Sequence, residues 1–130
     1  RPLSPEHPDD ETFPGLLILR PEGRLFFANA QEVGDRIQAL IREHRPQVVV
    51  LDLSRVFDIE YSALQMLIQG ERRAAEAGIT LWLADLSPSV LNYVRASGFA
   101  AQLGPERLFF NVRMVIRHYQ TNDAAAKISR

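Results

Sequence analysis

The 130-residue chain contains no cysteine. This absence excludes disulfide bonds and thiolate metal sites, so the stability of the fold must come from packing. No apolar run approaches the roughly 20 residues that a membrane-spanning helix requires, and no secretory signal is present. We therefore expect this segment itself to be soluble. The lack of cysteine also agrees with a cytosolic compartment.

The chain also lacks an excess of charge and the common motifs of catalysis. With 15 basic and 16 acidic side chains, it has no field that would steer it to nucleic acid. It contains no glycine-rich dinucleotide or Walker motif, no His-Glu-x-x-His and no Gly-x-Ser-x-Gly. His7, His44 and His118 are too scattered to suggest a metal cluster, and each is expected at the surface. The sequence predicts no enzyme, no metal site and no resident cofactor.

Three segments follow from composition. Residues 1–14 carry four prolines among acidic side chains and are expected to form an extended linker or lead-in. Residues 15–120 are expected to form one domain, and residues 121–130 a flexible tail. Because the chain begins at Arg1 and not at methionine, we expect it to be a piece of a longer protein.

The order of elements predicts an α/β fold. Short apolar runs at residues 15–20 and 24–28 flank a Pro-Glu-Gly turn and predict an antiparallel hairpin. Later strands are expected at residues 48–53, 79–84 and 107–110, with a helix after each of them and one between the hairpin and residue 48. The predicted helix caps are Asn29, Ser62, Ser87 and Asn111. A single mixed sheet in the order β-β-α-β-α-β-α-β-α results.

Three aromatic residues are candidates for the core. Alternation along a strand would send Phe26 and Phe27 to opposite faces, so we expect at least one ring in the core, while the other could face a docking partner; core packing is favoured for the pair. Trp82 alternates with leucines in a predicted strand and is also expected in the core.

Residues 48–64 are the most informative stretch, because a buried strand, a short acidic loop and a helix start follow one another directly. Open α/β sheets place ligand or partner sites where a strand's carboxyl end meets the next helix. The predicted interaction loop comprises Phe57, Asp58, Ile59, Glu60, Tyr61 and Ser62. The simplest interpretation of Asp58 is a solvated side chain that compensates the helix dipole.

The segment Asp52 to Leu64, DLSRVFDIEYSAL, resembles the signature of STAS domains. In that family a strand ends in Asp-aliphatic-Ser, and a loop continues as Ile-Asp-Ser-Ser/Thr-small-Leu into a helix. The run PGLLILRPEGRLFFANA, Leu83 to Pro88 and Arg107 to Val112 resemble the STAS domains at the cytoplasmic carboxyl end of SulP-type anion permeases. The resemblance spans roughly Pro14 to Tyr119.

This resemblance implies a non-catalytic regulatory and interaction domain of a SulP-type transporter of sulfate or another anion such as bicarbonate. It implies a transmembrane domain of the same transporter as a partner in cis, a homodimeric full-length transporter and soluble regulatory proteins as further partners. The implied location is the cytoplasmic face of the cell inner membrane, as part of an integral membrane protein.

Freestanding STAS proteins, the anti-sigma-factor antagonists, supply the alternative function. In them a kinase phosphorylates the first hydroxyl after the loop aspartate, but here Glu60 and Tyr61 stand at those two positions. Ser62 matches the second hydroxyl and is the candidate phosphorylation site, although a cap role is favoured for it. A third hypothesis is a guanine-nucleotide sensor that binds GTP or GDP, with Asn29 and Ser62 as nucleotide or anion contacts.

Overall fold

The computed structural model describes residues 2–4 and 7–121. The strands are β1 (Pro2–Ser4), β2 (His7–Phe13), β3 (Leu16–Leu19), β4 (Gly23–Leu25), β5 (Val48–Asp52), β6 (Val56–Ile59), β7 (Thr80–Ala84) and β8 (Leu108–Phe109). The helices are α1 (Phe27–His44), α2 (Tyr61–Glu76), α3 (Pro88–Ala96), α4 (Phe99–Leu103) and α5 (Val112–Thr121), and a 3-10 turn spans Pro105–Arg107. Among the described residues, none of the helices combines the length and the hydropathy of a membrane-spanning segment.

Six strands form one mixed sheet in the order β1-β2-β3-β5-β7-β8. The first two pairings are antiparallel and the remaining three are parallel. Every residue of β3 and β5 is buried, as expected for central strands that are covered on both faces. The predicted fold class, an α/β fold built on a mixed sheet, is confirmed.

The helices pack on the sheet in two layers. On one face α1, α2, α3 and α4 cover the larger part of the core, which includes Leu17, Val49 and Leu83. On the other face α5 covers a smaller cluster that includes Ile18, Val50 and Phe109.

Two aromatic contacts of His118 secure α5 on its face. The His118 ring lies 5.7 Å from the half-buried ring of Trp82 and 5.4 Å from Phe109, measured between ring centroids. Trp82 thus packs against the smaller cluster, in line with its predicted role. The prediction that His118 lies at the surface is wrong, because it faces the sheet from the inner side of α5 and is buried.

The amino-terminal strands differ from the sequence prediction. Residues 7–13 were expected in an extended lead-in, and they are extended, but they pair with β3 as a strand of the main sheet. The hairpin predicted from residues 15–28 is wrong, since β3 pairs with β2 and β5 while β4 pairs with β6 in a separate two-stranded parallel sheet. The predicted tail lies outside the described residues apart from Thr121, which ends α5.

Two of the four predicted helix caps are found at the N-cap position. Ser87 and Asn111 are confirmed, because their side-chain oxygens accept hydrogen bonds from the backbone N–H groups of Val90 and Met114. Asn29 is the third residue of α1 and Ser62 the second residue of α2, so neither occupies the N-cap position. The short helix α4 and the 3-10 turn were not predicted.

Candidate functional site

The small β4–β6 sheet brings the starts of α1 and α2 together. Arg24 pairs with Asp58 and Leu25 with Ile59 in a parallel register. The backbone N–H of Glu60 then donates to the Leu25 carbonyl at 2.8 Å. Each strand runs within two residues into a helix, so two helix amino termini lie side by side at one edge of the molecule.

One arginine joins the carboxylates of this edge. The Arg24 Nε atom lies 3.0 Å from Asp58 Oδ2, and its Nη2 atom lies 3.2 Å from Glu60 Oε2. All three side chains are substantially exposed, so solvent screens the pairs and they contribute little to stability. Asp58 is therefore an ion-paired strand residue, whereas the sequence suggested a solvated helix start.

Four aromatic side chains at the ends of these strands and the starts of these helices are exposed. Phe26 is 42% exposed, Phe27 56%, Phe57 68% and Tyr61 71%. The core position predicted for Phe26 and Phe27 is wrong, because they form the N-cap and the first residue of α1, where strand alternation does not apply. We call these four residues with Asp58 and Glu60 the acidic-aromatic surface.

A local irregularity accounts for the exposure of Phe57. In the β4–β6 pairing, Gly23 faces Val56 and Arg24 faces Asp58, so Phe57 has no partner residue on β4. An extra residue of this kind interrupts the alternation of a strand. As a result Phe57 and Asp58 are exposed in succession, while Ile59 returns to the core.

The predicted site residues separate into two groups. The structure brings Phe57, Asp58, Glu60 and Tyr61 to one exposed edge, and Ser62 is also exposed there. Ile59 is buried and therefore does not belong to this surface. Arg24, which completes the surface, was missed because it lies 34 residues from Asp58 and no local pattern links the two.

Asn29 is held by its own loop. Its side-chain oxygen accepts from the Phe26 backbone N–H at 2.7 Å, and its amide donates to the Arg24 carbonyl at 2.7 Å. Both ends of the side chain are thus bonded to backbone groups. An anion or nucleotide at this position would compete with these bonds.

A second group of charges lies at the carboxyl edge of the main sheet. Arg20 follows β3, Asp52 ends β5 and Asp85 follows β7, so parallel pairing brings them together. The Arg20 Nε atom donates to Asp52 Oδ2 at 2.6 Å, and its Nη1 atom lies 3.1 Å from Glu11 Oε1. Burial, together with the negative charge of Asp52, raises the pKa of the Asp85 carboxyl.

No metal site emerges from these carboxylates. Within residues 2–4 and 7–121, no group of three or more histidine, aspartate or glutamate side chains is arranged to hold a metal ion. Asp52 instead accepts a hydrogen bond from the Ser54 backbone N–H at 2.9 Å, which stabilises the turn after β5.

Comparisons with known proteins agree on one family. The family model for the STAS domain matches residues 7–114. Sulfate transporter 1.3 of Arabidopsis thaliana is 27% identical over 117 residues, which cover 82% of this chain and 18% of that transporter. The chain thus spans about a fifth of the length of the curated relatives it matches.

Solved structures share the fold at lower sequence identity. The STAS domain of a SulP transporter from Vibrio cholerae superposes with a TM-score of 0.72 at 22% identity, covering 85% of this chain and 86% of that one. The anti-sigma factor antagonist SpoIIAA in its unphosphorylated form gives a TM-score of 0.71 at 17% identity, covering 86% and 95%.

Proposed function

This chain belongs to the STAS-domain family, and from that premise we propose that it is the non-catalytic regulatory domain of a SulP-type transporter of sulfate or a related anion. Support comes from the curated relatives, which carry sulfate transporter names and are about five times longer than the matched segment. In this proposal the remaining part of the protein crosses the membrane and carries the ion. The domain lies on the cytoplasmic face of the membrane.

The observation that carries the regulatory role is the acidic-aromatic surface. Phe57 and Tyr61 are more than two-thirds exposed, although burying such a ring is favourable by about 1.5–3 kcal/mol. Exposed aromatic side chains beside charged groups are typical of surfaces that bind other proteins. We propose that the transmembrane domain of the same transporter is the partner in cis, within a homodimeric transporter.

Uptake by the full-length transporter tests this proposal. Replacing Phe57 and Tyr61 together with alanine should reduce uptake of labelled sulfate at equal membrane abundance, because the contact surface loses its two largest exposed rings. The same substitutions in the 130-residue chain should leave its unfolding midpoint nearly unchanged, since neither side chain is buried.

Phe110→Ala is the matched control. Phe110 is also exposed, but it follows β8 at the far edge of the main sheet. Its replacement should leave uptake unchanged. Normal uptake by the Phe57→Ala/Tyr61→Ala variant would reject the surface as the regulatory contact.

A freestanding anti-sigma-factor antagonist is the second candidate, favoured by the similarity of the fold to SpoIIAA. Exposure of Ser62 in the first turn of α2 is compatible with a phosphate acceptor. Asp58 and Glu60 nearby would repel an incoming phosphate, although Arg24 partly offsets their charge. Incubation with a partner kinase and ATP, followed by mass spectrometry, decides whether Ser62 is modified.

Guanine-nucleotide binding is a separate hypothesis for the same edge, with Asn29 and Ser62 as the contacts. A calorimetric titration with GTP and with GDP tests it directly. Heat that disappears in the Ser62→Ala variant would support these contacts, and the absence of heat would reject them.

A further inference from the structure

A cleft lies on the second face of the main sheet, away from the acidic-aromatic surface. It is wide open to solvent and has a volume of about 470 Å³. One wall is the outer side of α5 and the other is formed by β2 and the end of β3. The lining residues are Glu11, Arg20, Val112, Arg113, Ile116, Arg117 and Gln120.

The fold explains why a cleft forms here. Most buried residues of the cluster around α5 lie on β3, β5, β7, β8 and α5 itself, and Phe13 at the end of β2 packs against the same cluster. Glu11 is in register with Ile18, so its side chain lies on the face that α5 covers. The gap between the helix and β2 lies beside Glu11, which lines the cleft.

Three of the seven lining residues are arginines. The Arg20 guanidinium is fixed by Asp52 and Glu11, which offset its charge. Arg113 and Arg117 lie one turn apart on α5; Arg117 has an interaction of its own, whereas Arg113 has no hydrogen-bond or ion-pair partner among the described residues. Arg113 thus supplies positive charge to the cleft that no described side chain offsets.

The remaining walls limit the kind of ligand. Val112 and Ile116 line the cleft next to the arginines of the same helix, and most of this apolar surface comes from Ile116 because Val112 is only 9% exposed. Guanidinium groups bind phosphate oxygens through paired hydrogen bonds. The first turn of α5, which includes Arg113, adds the positive end of a helix dipole.

We propose that this cleft binds a phosphate group attached to a small apolar body, with Arg113 and Arg117 as its ligands. The phosphate pairs with the two guanidinium groups, and the apolar part lies on Val112 and Ile116. The same chemistry is offered by a soluble organic phosphate and by a phospholipid headgroup. The experiment separates these two sources.

The 130-residue chain is titrated calorimetrically with inorganic phosphate and with phenyl phosphate at constant ionic strength. We expect phenyl phosphate to bind more tightly than inorganic phosphate, because only it has an apolar part. Arg113→Gln should weaken phenyl phosphate binding about tenfold, the effect of losing one charge-assisted hydrogen bond. Arg113→Gln with Arg117→Gln should abolish binding.

Arg42→Gln with Arg72→Gln is the matched control, because it removes the same charge from exposed positions on α1 and α2 outside the cleft. A second arm measures cosedimentation with phosphatidylcholine vesicles that contain phosphatidic acid. Binding only to these vesicles, lost in the Arg113→Gln/Arg117→Gln variant, assigns the phosphate to a lipid headgroup.

Three results would overturn the proposal. They are the absence of binding in both arms, binding that the Arg113→Gln/Arg117→Gln variant retains, and an equal loss in the control variant. Circular dichroism checks that each variant is folded. If the double variant does not fold, the single Arg113→Gln variant still tests the proposal.

Discussion

Arg20 and Asp52 end neighbouring parallel strands, and the Arg20 Nε atom donates to Asp52 Oδ2 across the sheet edge at 2.6 Å. The Arg20 backbone N–H donates to Asp10 Oδ1 at 2.9 Å. Asp10 in turn lies 2.6 Å from Arg36 Nη2 on α1. Two ion pairs joined by a backbone hydrogen bond therefore tie β2, β3, β5 and α1 to one another.

Asp52→Ala should destabilise the domain by about 3 kcal/mol, the cost of removing one partner from a buried ion pair. The substitution leaves the Arg20 guanidinium without its shortest contact and the Ser54 backbone N–H without its acceptor. Urea unfolding at neutral pH, followed by circular dichroism, measures the loss.

Glu22→Ala is the control for that measurement. Glu22 also pairs with an arginine, Arg55 at 2.9 Å, but both side chains are largely exposed. An exposed pair contributes about 0–1 kcal/mol, so this variant should unfold close to the parent chain. Similar losses in the two variants would contradict the role given to the buried pair.

Gly34→Ala and Gly70→Ala should each stabilise the domain by about 0.5–1 kcal/mol, because glycine inside a helix carries an entropic cost relative to alanine. Both glycines line an apolar groove of about 70 Å³ between α1 and α2. A Cβ atom at either position meets no atom within 4 Å. The gain is measured as a rise in the unfolding midpoint.

Gly15→Ala should have the opposite effect. Gly15 has a φ of +79°, and a Cβ atom there would overlap the Tyr119 hydroxyl, which donates to the Pro14 carbonyl at 2.8 Å. The left-handed conformation alone costs about 1–2 kcal/mol for alanine. A stabilised Gly15→Ala variant, or destabilised helix variants, would contradict this account.

The sequence predicts elements well where the signal is local. Ser87 before Pro88 and the apolar run from Val48 are patterns complete within a few residues, and both predictions hold. The pairing of β4 with β6 instead joins residues about 33 positions apart, such as Gly23 with Val56. No short-range pattern specifies it, so a hairpin was predicted from the turn chemistry of Pro21 to Gly23.

The candidate site also combines features that a local pattern predicts with features that depend on long-range contacts. The sequence located the acidic residues before α2, because a strand, an acidic segment and a helix start follow each other there. It could not show that Phe26 and Phe27 are exposed beside them, since this depends on α1 beginning at Phe27 and not after Asn29. The Arg24 ion pairs depend on the same long-range pairing.

Arg24→Gln should change stability by less than about 1 kcal/mol, since exposed ion pairs are screened by solvent. If the transmembrane domain recognises the charge of the acidic-aromatic surface, Arg24→Gln should still reduce uptake. The reason is that Asp58 and Glu60 lose the cation that they share. Uptake is compared with that of Arg42→Gln, which alters an exposed arginine of α1 outside this surface. Equal uptake in both variants would show that the charge of Arg24 is not used.

Asp85→Asn should stabilise the domain at neutral pH. Burial and the negative charge of Asp52 raise the pKa of Asp85 in the folded chain, so its ionised form opposes folding. The residue has a φ of +57°, a conformation that asparagine also accepts, so the backbone need not change.

The difference in unfolding free energy between Asp85→Asn and the parent chain should depend on pH. Between the ordinary aspartate pKa of about 3.9 and the raised folded value, the folded chain binds more protons than the unfolded chain. The contribution of Asp85 to the free energy of unfolding therefore falls as pH rises through this window and stays low above it. The advantage of Asp85→Asn should be largest at pH 7 and shrink as the pH is lowered through that window, below which the aspartate is neutral in both states. Urea unfolding of both chains across this range measures the difference, with Asp35→Asn on the exposed side of α1 as the charge control. An advantage that is independent of pH would mean that the carboxyl charge is not its cause.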